Sequence, residues 1–193
     1  TGISIGTRAD CLPDDVIGLL SQLNSKTDLT VELGLQTVHD RTAAVINRCY
    51  DYREFLSGYE KLKSADIRTC LHIINGLPGE TKDDMLDTAR EVARLHPDAV
   101  KIHLLHVNRN TALERMYLGG EYIPLTRDEY IDIVISQLEY LPQDIVIERI
   151  TGDADKKYLV APKWSADKIA VLGGIDKQMK LRETYQGIKA DVM

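Results

Sequence analysis

The sequence predicts an α/β fold, a parallel-sheet (βα) barrel that is incomplete or wide and has a polar lumen. Two observations carry that prediction. Strand-like and helix-like stretches alternate from end to end as five strand–helix units, which implies a parallel sheet with right-handed crossovers. The strands also split into an apolar and a polar side. A parallel strand held between two helical layers should be apolar on both sides, so a polar side marks a lumen or cleft and weighs against an open doubly wound sheet.

The elements follow in order. Residues 2–6 (GISIG) alternate as a short strand, and in 13–24 Pro13 suits a first helical turn ahead of an apolar stripe of Val16, Ile17, Leu20 and Leu23. In 29–37 (LTVELGLQT), Val31, Leu33 and Leu35 oppose Glu32, Gly34 and Gln36; the helix of 52–65 then puts Phe55, Leu56, Tyr59 and Leu62 on one face. In 67–75 (IRTCLHIIN), Ile67, Leu71 and Ile73 oppose Arg68, Cys70 and His72. The helix after Thr81 carries Met85, Leu86, Ala89, Val92 and Ala93. In 99–107 (AVKIHLLHV), Val100, Ile102 and Leu104 oppose Lys101, His103 and Leu105, and a helix from Thr126 carries Tyr130, Ile133, Val134 and Leu138. A strand at 144–150 leads through a loop to a last helix near Ser165. The lumen is thus lined by Glu32, Gln36, His72, Lys101, His103 and Glu148, where an ordinary eight-stranded barrel has Val, Ile and Leu.

A chain of 193 residues suits one domain, with 1–150 forming the barrel and 151–193 a C-terminal loop and helical extension packed on it. The net charge of -6 argues against a mainly electrostatic nucleic-acid or membrane-surface binder. Cys11, Cys49 and Cys70 are far apart and form no CxxC pair, which fits a reducing, cytoplasmic setting and offers no cluster or zinc spacing. No apolar run approaches the ~18 residues of a membrane span. The chain opens at Thr1 and enters a strand at once, which suggests an excised fragment.

The junction NGLPGET (75–81) places glycines, a proline and a capping pair where a strand becomes a helix. Thr81 with Asp84 resembles a capping box, and Asp83 and Asp84 favour the positive helix end but would repel a phosphate there. It is neither GxGxxG nor GxxxxGK[ST]. His39 and His96 read as surface residues. His103 and His106, three apart in one strand, fall on opposite faces and do not share a metal. A buried Glu32 needs a donor, either Arg68 or Lys101 in a salt bridge or the amine or ribose of a cofactor. The segment 151–164 (TGDADKKYLVAPKW) follows the last strand, where active-site loops gather.

Taken in order, ISIGTRADCLP, VELGLQT, INRC and INGLPGET resemble the radical S-adenosylmethionine (SAM) superfamily, and in particular bacterial proteins related to the elongator catalytic subunit. KIHLLHV, ALERMYLGGEYIPLTRDEYI and ITGDADKKYLVAPKW extend the likeness over nearly the whole chain. The resemblance implies a partial TIM-type (βα) barrel, truncated here at its N-terminus, whose lumen holds SAM and a [4Fe-4S] cluster. It further implies an external electron donor and reductive cleavage of SAM to a 5′-deoxyadenosyl radical that acts on an unknown substrate, with tRNA as a candidate.

By the same resemblance Gln36 lies at the SAM ribose and Arg48 approaches the SAM carboxylate. His72 falls where relatives have an aspartate for the ribose hydroxyls. Gly6 stands where relatives have a glutamate for the SAM amine, leaving Thr7, Arg8 and Glu32 as substitutes. His103 and Glu148 are then placed toward the substrate. The family's three-cysteine motif is absent from these residues, and its ligands are expected upstream of Thr1. The rivals are a metal-dependent barrel hydrolase or lyase using Glu32, His72 and His103, and a non-catalytic binding module of the same fold.

Overall fold

The computed structural model describes residues 2–152 and 155–190. The chain runs β1 (Ile3–Thr7), α1 (Asp14–Asn24), β2 (Leu29–Gln36), α2 (Asp40–Val45), α3 (Tyr52–Ser64), β3 (Arg68–Asn75), α4 (Lys82–Leu95) and β4 (Ala99–Leu104). It continues with β5 (Val107–Asn108), α5 (Ala112–Leu118), α6 (Arg127–Tyr140), β6 (Val146–Arg149), β7 (Leu159–Ala161) and α7 (Lys168–Leu181). Among the described residues five strands form one all-parallel sheet in the order β1-β2-β3-β4-β6. Each strand lies beside its predecessor, with no reversal of order. That is the winding of a partial TIM-type barrel, whereas a doubly wound sheet reverses at a switch point.

The alternation expected in the strands is present. Along β2 every odd-numbered residue is buried and every even-numbered one is partly exposed. Val31, Leu33, Leu35, Leu71, Ile73, Val100 and Ile102 point into the helical layer, where they meet Phe55, Tyr59, Leu62, Val92, Tyr130 and Val134 in one core. Cys70 is an exception, since it is fully buried although it lies on the polar side. Val171 and Ile175 of α7 join the same core. Among the described residues no helix is long and apolar enough to cross a membrane.

The helix starts follow side-chain caps. Thr81 accepts from the Asp84 amide while the Asp84 carboxylate accepts from the Thr81 amide, and Thr126 with Glu129 repeats the box on α6. The rest of NGLPGET is pinned from several directions. Asn75 and Gln137 exchange two amide hydrogen bonds of 2.8 Å, the Gly76 carbonyl accepts from the Tyr122 hydroxyl, and Glu80 accepts from the Thr37 hydroxyl. Gly76 has φ +84, a conformation that glycine adopts without penalty.

Two expectations need correction. The stretch 99–107 is not one strand: β4 ends at Leu104, and the Leu105 amide turns to donate to Asn75 O at 2.9 Å. Val107 instead opens β5, which pairs antiparallel with β7. His103 and His106 are therefore not strand-mates, and His106 packs beside Gly152. The sequence reading also passed over α2, α5, β5 and β7, all of them too short to show a period. The expectation for 151–164 includes residues 153 and 154, which lie outside the described residues.

Candidate functional site

The C-terminal ends of β1, β2 and β3 open on a cavity of about 600 Å³, lined by Gly6, Thr7, Arg8, Glu32, Gly34, Gln36, Arg48, Tyr50 and His72, with Ile74, Leu77 and Leu105 as apolar wall. It thus gathers Thr7, Arg8, Glu32, Gln36, Arg48 and His72. His103 and Glu148 are not among its lining residues. Ligands bind at this end of parallel strands because the connecting loops there vary without disturbing the sheet.

Gln36 is held by a local irregularity. Gly34 pairs with His72 and Gln36 with Ile73, so β2 spends two steps against one on β3, a bulge that re-aims the strand end. Gln36 has φ 66, uncommon for a residue with a side chain. Its amide nitrogen lies over Gly34, where a methyl would sit 2.5 Å away, and its Oε1 is buried without a partner among the described residues.

Arg48 and Tyr50 complete the strand end. The buried Arg48 guanidinium donates to Leu35 O at 2.8 Å, Thr37 O at 2.6 Å and Tyr50 O at 2.9 Å, and reaches Asp40 at 3.3 Å. The Tyr50 hydroxyl donates to Gly34 O at 2.6 Å. These side chains tie the carbonyls of Gly34, Leu35 and Thr37, at and just past the bulged end of β2, to the segment that carries Arg48 and Tyr50. Most of the Arg48 fork is thereby committed to the chain itself. Arg8, on the exposed rim, makes two bonds to Asp10 and lies over the Tyr50 ring at 5.5 Å.

Glu32 anchors the floor. It accepts from Ser4 Oγ at 2.5 Å, Lys101 Nζ at 2.5 Å and His72 Nε2 at 2.7 Å, which links β1, β2, β3 and β4. Of the two salt-bridge partners weighed from the sequence, Lys101 is the one used; Arg68 is exposed. Burial works to raise the Glu32 pKa, but the bonds from Lys101, Ser4 and His72 outweigh it and bring it to about 2. A carboxylate depressed in this way stabilises the fold above its unfolded pKa, and that contribution fades as pH falls from about 4.5 through about 2. Urea unfolding of the wild type and Glu32→Gln should differ by on the order of 2–3 kcal/mol at pH 7, with the gap closing as pH falls toward 2. A gap independent of pH would show that the carboxylate charge is not responsible.

The floor continues on β4 and β6. The His103 ring lies 5.1 Å from that of His72, and burial first, then the charges of its neighbours, brings its pKa to about 4. Its Nε2 is buried without a partner among the described residues. Glu148 stands 3.4 Å from Lys101 and accepts from the Cys70 thiol at 3.8 Å. The metal-site rival loses its ligand set: Glu32 and His72 bond each other, and no group of three His, Cys, Asp or Glu among the described residues could hold a metal ion. Ser4 and Tyr50 were missed from the sequence; only the placing of Tyr50 next to the INRC motif hinted at a role.

Comparison with known proteins gives two family matches in succession. The Radical SAM superfamily model covers residues 1–92 and the Radical_SAM C-terminal domain model residues 97–181. The chain is 48% identical over 186 residues to the uncharacterized protein YtqA of Bacillus subtilis, spanning 96% of this chain and 58% of that protein. It is 27% identical over 161 residues to a tRNA uridine(34) acetyltransferase of Methanocaldococcus jannaschii, spanning 82% of this chain and 29% of that protein. Among solved structures, the archaeal Methanocaldococcus infernus Elp3 with an N-terminal deletion matches with a TM-score of 0.82 at 21% identity, over 96% of this chain and 43% of that one. The last likeness shows the fold. The chain spans just under three fifths of the length of YtqA.

Proposed function

This chain belongs to the radical SAM superfamily, and from that premise we propose that its cavity binds S-adenosylmethionine as part of a radical SAM iron–sulfur enzyme. One observation carries the reading. Gln36 Oε1 is buried in the cavity wall with no partner among the described residues, on a backbone held in a left-handed conformation. An unmet buried acceptor costs about 1–3 kcal/mol, and such local costs persist where function requires them. A ligand bearing hydroxyl and ammonium donors satisfies that oxygen.

The residues present fit SAM and do not fit the cluster. Cys11 and Cys49 are exposed, Cys70 is buried, and no three-cysteine motif occurs in the 193 residues. A cluster held by residues other than these would supply the electron for reductive cleavage of the bound SAM. The chain's own part is to hold and orient. Gln36 offers its orphan oxygen, Thr7 and Glu32 stand around the open space left by Gly6, and Arg8 presents cationic charge at the rim. Arg48 fixes the wall. Farther along the floor, His103 and Glu148 face the substrate side in this reading.

The names of two relatives favour tRNA as the substrate class. The net charge of -6 gives that reading no added support.

Calorimetric titration of the chain with SAM tests the proposal. Saturable binding is expected, weakened about tenfold or more in Gln36→Leu. The unliganded variant should melt at or above the wild-type temperature, because an unmet buried acceptor has been removed. Equal affinity in the two proteins, or no binding by the wild type, would refute it.

A further inference from the structure

Glu32 lines the cavity, yet its oxygens are already filled from three other strands, by Ser4 on β1, His72 on β3 and Lys101 on β4. An ionised carboxylate has no proton to give. In the 2.7 Å contact with His72 the imidazole must therefore be the donor, through Nε2–H. In a neutral imidazole one nitrogen donates and the other accepts, so this contact decides the role of Nδ1.

We infer that Glu32 is a positioning residue that fixes His72 as its Nε2–H tautomer, and that His72 Nδ1 presents a hydrogen-bond acceptor to a hydroxyl or N–H donor of the cavity's ligand. Three further observations support this. His72 lines the cavity, and its cross-strand neighbour is Gly34, which has no side chain to cover the ring. Among the described residues Nε2 is bonded to Glu32, while Nδ1 carries no hydrogen bond. The same cavity holds another acceptor without a partner among the described residues, the buried Gln36 Oε1. Two acceptors on one floor select a ligand rich in donors and disfavour a phosphate, whose oxygens only accept.

The charge state agrees with this geometry. Burial lowers the His72 pKa, with Glu32 opposing and Lys101 and Arg149 adding to the lowering, so the ring is neutral near pH 7. The groups around it are Glu32 on β2, Lys101 and His103 on β4, and Arg149 on β6. Protonation of His72 turns Nδ1 into a donor and removes the acceptor. Ligand affinity should accordingly fall as the solution is made acid below the lowered pKa.

The inference rests on the SAM reading only for the identity of its probe. Histidine-15N-labelled chain without ligand should show His72 as the Nε2–H tautomer, with a ring proton protected from exchange by its bond to Glu32; Glu32→Gln should lose that protected proton. In calorimetry with SAM, Glu32→Gln should bind about tenfold more weakly than wild type, and His72→Leu should be weakened similarly. His72→Asn keeps a polar amide near the position of Nδ1 and should retain most of the affinity. Because the positioning role vanishes with the ring, adding Glu32→Gln to His72→Asn should cause no further loss. An Nδ1–H tautomer in the wild type would overturn the inference. So would a full tenfold loss from Glu32→Gln in the His72→Asn background, since it would mean that Glu32 meets the ligand directly. Failure of the wild type to bind SAM would remove the cofactor reading, while the protected ring proton would still decide whether Glu32 positions His72.

Discussion

Replacing Arg48 by methionine is expected to remove about 3–5 kcal/mol of stability, the largest effect of any single substitution at this site. Methionine fills a similar apolar volume but leaves the carbonyls of Leu35, Thr37 and Tyr50 buried without their shared donor. It also removes the stacking of the guanidinium on the Tyr50 ring, 4.9 Å from its centroid. Arg48→Lys should recover less than half of the loss, because an ammonium lacks the planar fork that reaches three carbonyls from one position. Urea denaturation gives the measurement. An Arg48→Met unfolding free energy within about 1 kcal/mol of wild type would mean that water replaces the guanidinium at little cost. The same variants should lose ligand binding, since Arg48 holds the bulged end of β2 from which Gln36 projects.

Gly58→Ala is expected to lose about 2–3 kcal/mol, with a melting temperature lower by roughly 4–12 °C. Gly58 lies in α3 where it meets the turn Ala9–Cys11, and a methyl there would overlap the Ala9 carbonyl oxygen. A backbone carbonyl cannot rotate aside as a side chain does, so either α3 or the turn must shift. The turn follows Arg8, and its displacement should weaken ligand binding as well as the fold. Gly18→Ala, in the middle of α1 with open space around the new methyl, is the control and should be neutral or stabilising by up to about 1 kcal/mol. Equal melting temperatures for the two variants would show that the α3 contact is not tight in solution.

Much of the scaffold was legible in the sequence because its signals are periodic and local. The apolar side of β2 and β3 and the stripe of α4 follow from side-chain alternation and helical repeat, and the caps at Thr81 and Thr126 act on amides three residues away. The elements that were missed carry no period. Residues 40–45 and 112–118 each make little more than a turn or two of helix, and β5 exists only through its pairing with β7. His106 was misplaced for the same reason, since a continuous apolar run gives no mark of where a strand stops.

For the cavity, the sequence brought forward residue types and the structure supplied their partners. Glu32 was legible as a buried carboxylate in need of a donor, but the choice of Lys101 over Arg68 depended on the fold: Lys101 lies in register with His72, two residues past the level of Glu32, and its ammonium meets the Glu32 carboxylate, while Arg68 is exposed. Arg48 was placed at the site through resemblance, while its use as a cap for the end of β2 came from the bulge at Gly34 and Gln36, which no spacing announces.

By itself, then, the sequence determined the parallel sheet, the lumen-facing side of most of β2, β3 and β4, and the kinship to radical SAM proteins. Each of these is written in short-range pattern or in the order of motifs. Only the tertiary structure decided the left-handed setting of Gln36, the commitment of the Arg48 fork and the bond that orders the protons of His72. Those depend on contacts between residues distant along the chain, such as Glu32 with Lys101 across 69 positions. Their energies are set by burial and geometry that no local window contains.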